Sequence, residues 1–305
     1  MNPVMTKEGY SKPFSAAVNI TSSTTGLLIP PSNILIVYSL ASGGVSIAAL
    51  FLAGYIPGIL AGLSLIIIAG IHAIRNKYPR GDKISFKKSF VIFLNAIPSL
   101  TLIIVVIGGI VAGFFTPTEA SAISVIYAGL LAFIYNEVKW AEIPGIILSS
   151  VITTSIVMLL IGASMGLSWT MSFENIPQDV TAALLSISSD KIIILLIINM
   201  ILLVVGIFMD MTPAVLIFTP IFLPVVTSLG MNPVHFGIIM VFNLCIGLCT
   251  PPVGSVLFVG CSVAGISIDK VIKPLMPLFI SMIVVLMIVS FLPELSLWLP
   301  GIFGY

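Results

Sequence analysis

Apolar segments long enough to cross a lipid bilayer constrain this chain more than any other feature. The segments 47–74 and 143–169 each exceed the roughly 20 residues that a spanning helix needs. Hydrophobic residues make up 59% of the chain and charged residues only 8%, where a soluble domain has about 45–50% and about 25%. The sequence therefore predicts an all-α, polytopic membrane protein with room for about eight to ten embedded segments. It excludes soluble, disordered and nucleic-acid-binding classes.

Basic residues concentrate in one polar stretch, 75–88. It holds half of the 12 basic residues of the chain and a single acid, Asp82; the basic residues are Arg75, Lys77, Arg80, Lys83, Lys87 and Lys88. By the positive-inside rule, this stretch is predicted to be cytoplasmic. The net charge of +1 gives no indication of a polyanionic partner.

An internal repeat appears when residues 1–47 are shifted by 221 positions. The Gly26-Leu27 pair and the Pro30-Pro31 pair then fall on Gly247-Leu248 and Pro251-Pro252. Further identities occur at Pro3, Val4, Thr6, Gly9, Gly44, Ser46 and Ile47. Repeated, interrupted hydrophobic segments at matching positions are typical of the binding sites of secondary transporters. Whether the two copies are inverted depends on the number of crossings between them, which the sequence leaves open.

The two Pro-Pro pairs predict interruptions inside apolar segments. Each proline removes an N–H donor, and the residue before it is disfavoured in the α region. An open backbone inside the membrane must be buried in protein or line a cavity, so each segment reads as a re-entrant hairpin, with a proline-kinked helix as the alternative. Freed carbonyls at such a break can bind a cation, and the start of the next half-helix can face an anion.

Two further interruptions carry polar residues. At Thr116-Pro117-Thr118-Glu119, Thr116 suits a helix N-cap and Glu119 completes a capping box. In the second interruption, Thr212 is predicted as the cap and Pro213 as the first helical position. Asp210 lies in the apolar run before them, and an ionisable residue in a spanning segment is a candidate for ion or substrate handling. A helix-start aspartate is the alternative.

Enzyme chemistry finds no support in the sequence. It contains no GxxxxGK[ST] phosphate loop and no HExxH motif, and its two histidines are far from any plausible catalytic set. We expect no enzymatic activity and no organic cofactor.

Four motifs in order resemble the large membrane subunit of tripartite ATP-independent periplasmic (TRAP) transporters, of the DctM or SiaM type. They are SSTTGLLIPPS (22–32), GGIVAGFFTPTEASA (108–122), FMDMTPAVLIFTPIFLPV (208–225) and NLCIGLCTPPVG (243–254). The resemblance covers essentially the whole chain. Family members also have an upstream scaffold region and broken helix, so we expect this chain to lack its N-terminal part or to have a shortened first repeat.

The resemblance implies an elevator-type importer in the bacterial inner membrane. It implies sodium symport of an organic acid, a C4-dicarboxylate or sialic acid, delivered by a periplasmic binding protein of the DctP or SiaP type. It also implies a small four-helix membrane subunit of the DctQ or SiaQ type as partner. The breaks contain no Arg or Lys, so the acid would be held by hydroxyls, helix ends and the bound cation.

Site residues follow from the resemblance, motif by motif. The substrate-binding residues it implies are Ser22, Ser23, Thr24, Thr250 and Asp210. The sodium ligands it implies come from Ser23, Gly26, Thr116, Thr118, Asp210, Thr212, Gly247, Thr250 and Gly254, and the hairpin breaks from Pro30, Pro31, Pro251 and Pro252.

The expected organisation alternates transport and scaffold parts. Hairpin regions are predicted at 1–46 and 231–268, and scaffold parts at 47–96 and 269–305, with the last span at 271–300. Residues 97–230 hold spanning helices with breaks at 116–119 and 210–213. Two other functions remain open: a stand-alone sodium- or proton-coupled di- or tricarboxylate symporter, and a scaffold or channel-like subunit.

Overall fold

The computed structural model describes residues 2–79 and 86–305, with side chains from residue 4 onward. All regular structure in these residues is helical. A 3₁₀ turn at Trp140–Glu142 precedes the seventh α-helix. The α-helices are α1 (Asn2–Lys7), α2 (Lys12–Leu28), α3 (Asn33–Ala41), α4 (Ile47–Arg75), α5 (Phe86–Val111), α6 (Pro117–Ile134), α7 (Ile143–Phe173), α8 (Ile176–Ile187), α9 (Lys191–Phe208), α10 (Met211–Ser228), α11 (Pro233–Leu248), α12 (Ser255–Ala264), α13 (Ile268–Phe291) and α14 (Glu294–Ile302).

Seven helices in the described residues are long and apolar enough to cross a membrane. The count reaches 8 when α2 and α3, which meet at a bend of 50°, are taken as one span. This agrees with a polytopic helical membrane protein. The predicted last span, 271–300, is instead divided: α13 ends at Phe291 and α14 begins at Glu294, next to Pro293, which cannot donate a backbone hydrogen bond.

The chain divides into two compact units, one formed by residues 1–79 and 161–305 and the other by residues 80–160. This division groups residues by how compactly they pack. The alternating hairpin and scaffold segments expected from the sequence group residues by their proposed motion, so the two groupings are different. Arg80, Asp82 and Lys83 of the basic stretch lie outside the described residues. The cytoplasmic position of that stretch stays a prediction.

The larger unit is built around α11. Every residue from His235 to Leu248 is buried, and α2, α4, α9, α10 and α13 pack around it. A helix that is apolar on all sides belongs either in a protein core or in a membrane, and here neighbouring helices cover all of it. The second interrupted segment therefore begins in the centre of the protein.

The internal repeat recurs in the three-dimensional structure at the same offset. Helices α2 and α11 begin at Lys12 and Pro233, and α4 and α13 begin at Ile47 and Ile268, in both cases 221 positions apart. The Pro30-Pro31 and Pro251-Pro252 peptide bonds are both cis. The two copies therefore share their breaks as well as their helices.

The equivalent helices α2 and α11 of the two copies cross each other. The Cys245 Sγ lies 3.5 Å from the Thr24 carbonyl oxygen, and these residues are 221 positions apart, so equivalent positions touch each other. The Cys249 Sγ lies 3.5 Å from the Ile20 carbonyl. From the first contact to the second, the residue number rises from 245 to 249 along α11 and falls from 24 to 20 along α2. The two helices are therefore antiparallel. The two copies therefore run in opposite directions, which answers the question that the sequence left open.

The smaller unit contains α5 and α6 packed together. The Tyr127 hydroxyl donates a 2.8 Å hydrogen bond to the carbonyl of Pro98, inside α5. Phe115, in the connection between the helices, packs against Gly109, where a Cβ would stand only 2.2 Å from the ring. The connection is thus folded against α5, and α6 begins directly after it.

Candidate functional site

The first Pro-Pro pair ends α2 and bends the chain. Helix α2 ends at Leu28 and α3 begins at Asn33, with an angle of 50° between them. Helix α4 approaches the break closely, because a Cβ on Gly54 would stand 2.5 Å from the Leu28 carbonyl oxygen. The Ser32 hydroxyl donates to the Leu27 carbonyl. The break is thus enclosed by α4 on one side, with a geometry that fits either a broken span or a re-entrant loop.

The hydroxyl residues before this break lie inside a regular helix. Ser23 and Thr24 donate to carbonyls three residues earlier, at 2.8 Å each, and Ser22 does the same at 3.4 Å. Thr24 is buried, whereas Ser22, Ser23 and Gly26 are exposed. The sequence reasoning placed these residues at a hairpin tip, but only the backbone after Leu28 is open. A glycine weakens a helix by only about 1 kcal/mol, so Gly26 alone does not end α2.

The second Pro-Pro pair follows the end of α11. The Thr250 Oγ1 donates to the Ile246 carbonyl at 2.8 Å and so closes the last turn. The chain then folds back. A Cβ on Gly254 would lie 2.5 Å from the Leu248 carbonyl oxygen and 2.9 Å from that of Thr250. Two carbonyl oxygens therefore converge beside Gly254 in a space that a side chain would fill.

Asp210 lies at the break between α9 and α10. It is exposed, it occupies the N-cap position of α10, and its side chain does not bond the first amides of that helix. The helix begins at Met211, so Thr212 is inside the first turn, and its prediction as the cap was wrong. Asp210 is the N-cap instead, because its backbone is extended and it immediately precedes the first helical residue.

Helices α9 and α11 bring the Asp210 break and the Thr250 break to the same level. A Cβ on Gly247 would stand 2.6 Å from the Gly206 Cα, so the two backbones touch. The Asn243 amide also donates a hydrogen bond to Asn199. Asn199 lies seven residues before Gly206 on α9, and Asn243 lies four residues before Gly247 on α11. Both residue numbers rise together, so the helices are parallel, and both end within four residues of the glycine contact.

The ends that meet there have opposite electrostatic character. Helices α9 and α11 present their C-terminal carbonyls, the negative ends of their dipoles, and α10 and α12 begin nearby with their positive ends. Carbonyl and hydroxyl oxygens at such interruptions suit an alkali cation, and the helix starts suit a carboxylate. No cluster of three His, Cys, Asp or Glu residues occurs in the part of the chain that the structure describes.

The two Pro-Pro breaks are not brought together. Cys249, next to the second break, faces Ile20, eight residues before the end of α2. At 1.5 Å per residue, the breaks lie about 12 Å apart along the helix axis, on either side of the α2–α11 crossing. The predicted position of the substrate carboxylate, between the two breaks, therefore corresponds to the crossing itself.

Thr116 and Thr118 belong to the smaller unit. The Thr116 side chain accepts from the Glu119 amide, and the Glu119 carboxylate accepts from the Thr116 amide at 2.8 Å, so the capping box is present as predicted. Pro117 is the first helical residue. Both threonines are exposed. Their part in a sodium site stays a prediction.

Sequence reasoning missed a set of buried polar residues beside the breaks. Asn199 and Asn243 are 1% and 0% exposed, and they link α9 to α11. An amide inside an otherwise apolar run is the one signal that the sequence offers. Gly206 was also missed, since its role depends on Gly247, 41 positions away.

Fold and site together define a multi-pass membrane protein with interrupted helices in an inverted repeat. Residues 1–295 match the family model described as "Tripartite ATP-independent periplasmic transporter, DctM component". The chain belongs to this family of TRAP transporter large permease subunits.

Three relatives show the range of the similarity. The chain is 57% identical over 304 residues to the "Uncharacterized protein YgiK" of Salmonella typhimurium, covering 100% of the chain and 70% of the relative. It is 36% identical to the C4-dicarboxylate TRAP transporter large permease protein DctM of Pseudomonas aeruginosa, covering 98% of the chain and 70% of the relative. It is 35% identical to the sialic acid TRAP transporter large permease protein SiaM of Vibrio cholerae, covering 97% and 70%.

Proposed function

We propose that this chain imports a small organic acid across the bacterial inner membrane by sodium symport, as the large permease subunit of a TRAP transporter. The observation that carries the proposal is the meeting of the α9–α10 and α11–α12 breaks at the Gly206–Gly247 contact. That meeting places cation-favouring helix ends beside anion-favouring ones. The acid would be a C4-dicarboxylate or a sialic acid, the substrates that the names of two relatives state for those proteins.

Sodium fits the residues at this place. The carbonyls of Leu248 and Thr250 converge beside Gly254, and the Thr250 hydroxyl donates its proton to Ile246, which leaves its oxygen lone pairs free to face a cation. Asp210 is an exposed carboxylate at the start of α10, four residues after the Gly206 that contacts Gly247. Coupling arises when the bound cation supplies the positive charge that the acid needs, because no basic side chain stands in either break.

A binding protein and a small membrane subunit complete the proposed system. TRAP large permease subunits work with both, so we infer a periplasmic binding protein of the DctP or SiaP type and a four-helix subunit of the DctQ or SiaQ type. The family membership favours this assignment over a stand-alone symporter. We further propose an elevator movement, in which the interrupted helices of both copies move together because α2 and α11 are packed against each other.

Sodium-dependent thermal stability tests the proposal without knowledge of the acid. The purified protein is melted in sodium, potassium or choline chloride at equal ionic strength. A cation at 100 times its dissociation constant stabilises a folded protein by about 2.7 kcal/mol. We expect a higher melting temperature in sodium alone, and loss of this increase in Asp210→Asn and Thr250→Val.

A matched control uses a threonine away from the breaks. Thr227 lies in the last turn of α10, and its hydroxyl donates to the Leu223 carbonyl at 2.8 Å. The Thr250 hydroxyl donates in the same way to the Ile246 carbonyl, four residues earlier in α11. Thr227→Val should keep the sodium response in full. Equal sodium responses in Thr250→Val, Asp210→Asn and wild type would overturn the assignment of the site.

A further inference from the structure

A fully buried polar network joins three helices of the larger unit. The Asn243 Nδ2 donates to the Asn199 Oδ1 at 2.7 Å and to the Asn199 carbonyl at 2.9 Å. The Asn199 Nδ2 donates to the Ser290 Oγ at 3.3 Å, and a His235 ring nitrogen lies 3.4 Å from the Ser290 carbonyl. All four residues are at most 2% exposed. The network therefore connects α9, α11 and α13 without solvent.

The orientation of the Asn243 amide follows from its surroundings. Two oxygen atoms of Asn199 face it, so the amino group must point at them, because a carbonyl there would be repelled. The Asn243 Oδ1 on the other side is buried and has no hydrogen-bond partner among the described residues. A buried polar atom without a partner costs about 1–3 kcal/mol, so apolar packing would serve stability alone at least as well.

The network is aligned with the glycine contact. Asn199 and Gly206 are seven residues apart on α9, and Asn243 and Gly247 are four apart on α11, so the amides and glycines face each other along one interface. A slide of one helical turn would break both amide bonds. It would also place a residue with a side chain against Gly247, where even a Cβ does not fit.

We propose that Asn199 and Asn243 are positioning residues that set the register of α9 against α11, and so hold the Asp210 and Thr250 breaks at one level. This inference rests on the proposed sodium site, since the register matters there. In the first copy, the position of Asn243 is taken by Ser22 and that of Ser290 by Ala69.

The test measures the register directly, without sodium. Spin labels on Phe208→Cys, at the end of α9, and Val253→Cys, after α11, report the separation of the two breaks by pulsed electron resonance. Both native side chains are exposed, and the three native cysteines are buried. The distance is measured in the otherwise wild-type protein and in the double variant Asn199→Leu/Asn243→Leu. The double variant leaves no unpaired amide and is therefore expected to fold.

We expect a single narrow distance in the wild-type background. In the double leucine variant the distribution should broaden, because the glycine contact alone then holds the two helices in register. The sodium concentration for half-maximal thermal stabilisation should rise about tenfold, the lower end of what loss of an outer-shell partner costs a metal site. Ser290→Ala should show the same change to a smaller extent.

A matched serine on the same helix serves as the control. The Ser281 hydroxyl donates to Leu278 within α13 at 2.7 Å, so Ser281→Ala should leave distance and sodium response unchanged. An unchanged distance in the double leucine variant overturns the positioning role, whatever happens to sodium binding. A changed distance with no sodium effect in any protein, wild type included, supports the register and overturns the proposed sodium site instead.

Discussion

The repeat supplies a controlled test of the close contact between α9 and α11. Gly26 and Gly247 are equivalent in the two copies, each followed by leucine and, three residues further on, by Pro-Pro. Their surroundings differ: a Cβ on Gly26 would meet nothing within 4 Å, whereas one on Gly247 would stand 2.6 Å from the Gly206 Cα and 2.7 Å from its carbonyl carbon. The perturbation is glycine to alanine at each position.

The expected magnitude comes from two opposing terms. Alanine favours a helix over glycine by up to about 1 kcal/mol, and both variants gain this. Gly247→Ala alone must separate two backbones, and forcing extra volume into a packed interface costs about 1–3 kcal/mol. We expect Gly26→Ala to melt at or above the wild-type temperature. We expect Gly247→Ala to melt about 2–5 °C below Gly26→Ala, at about 1.6 °C for each kcal/mol in a chain of 305 residues.

The assay is thermal unfolding in one detergent without sodium, followed by helical circular dichroism. Sodium is left out so that loss of a binding site does not contribute to the difference. Equal melting temperatures for the two alanine variants would refute the reasoning, because they would mean that α9 does not press on Gly247. A lower temperature for Gly26→Ala alone would refute it as well.

Two further predictions concern single hydrogen bonds. The fully buried Tyr38 hydroxyl donates to the Pro233 carbonyl at 2.7 Å and ties α3 to α11, so Tyr38→Phe should lose about 0.5–1.5 kcal/mol of stability in thermal melts. Tyr55→Phe, whose hydroxyl has no hydrogen-bond partner among the described residues, should melt as wild type, and equal losses in both would contradict the Tyr38 assignment. Thr116→Ala removes the cap of α6 and should cost about 1 kcal/mol. Faster hydrogen exchange of the Glu119 amide would show the loss of the cap. Thr116→Ser should restore the protection of that amide. Unchanged exchange in the alanine variant would exclude the cap.

The fold class and the breaks were predictable because their causes are local. Apolar length predicts membrane helices, and Pro-Pro ends a helix wherever it stands, so the ends of α2 and α11 lie where the sequence placed them. The cap at Thr116 followed from four adjacent residues. The prediction for Ser22 and Ser23 differed from the structure, because back-bonded hydroxyls and a single glycine permit a helix as well as a loop.

The candidate site was predictable only in part. Asp210 and Thr250 could be named from their motifs, but their approach depends on α9 running parallel to α11. Asn199 and Asn243, which bond across that interface, are 44 positions apart and carry no motif. Four motifs carried the resemblance to the permease family, and the match to the family model over residues 1–295 shows the membership.

The sequence by itself determined the membrane class, the places where helices stop and the existence of two copies, because each depends on residues close together in the chain. The tertiary structure decided that the copies run in opposite directions and cross at Thr24 and Cys245. It also decided that Gly247 is enclosed while Gly26 is open. Burial depends on which helix lies alongside, and α9 packs against α11 at Gly247.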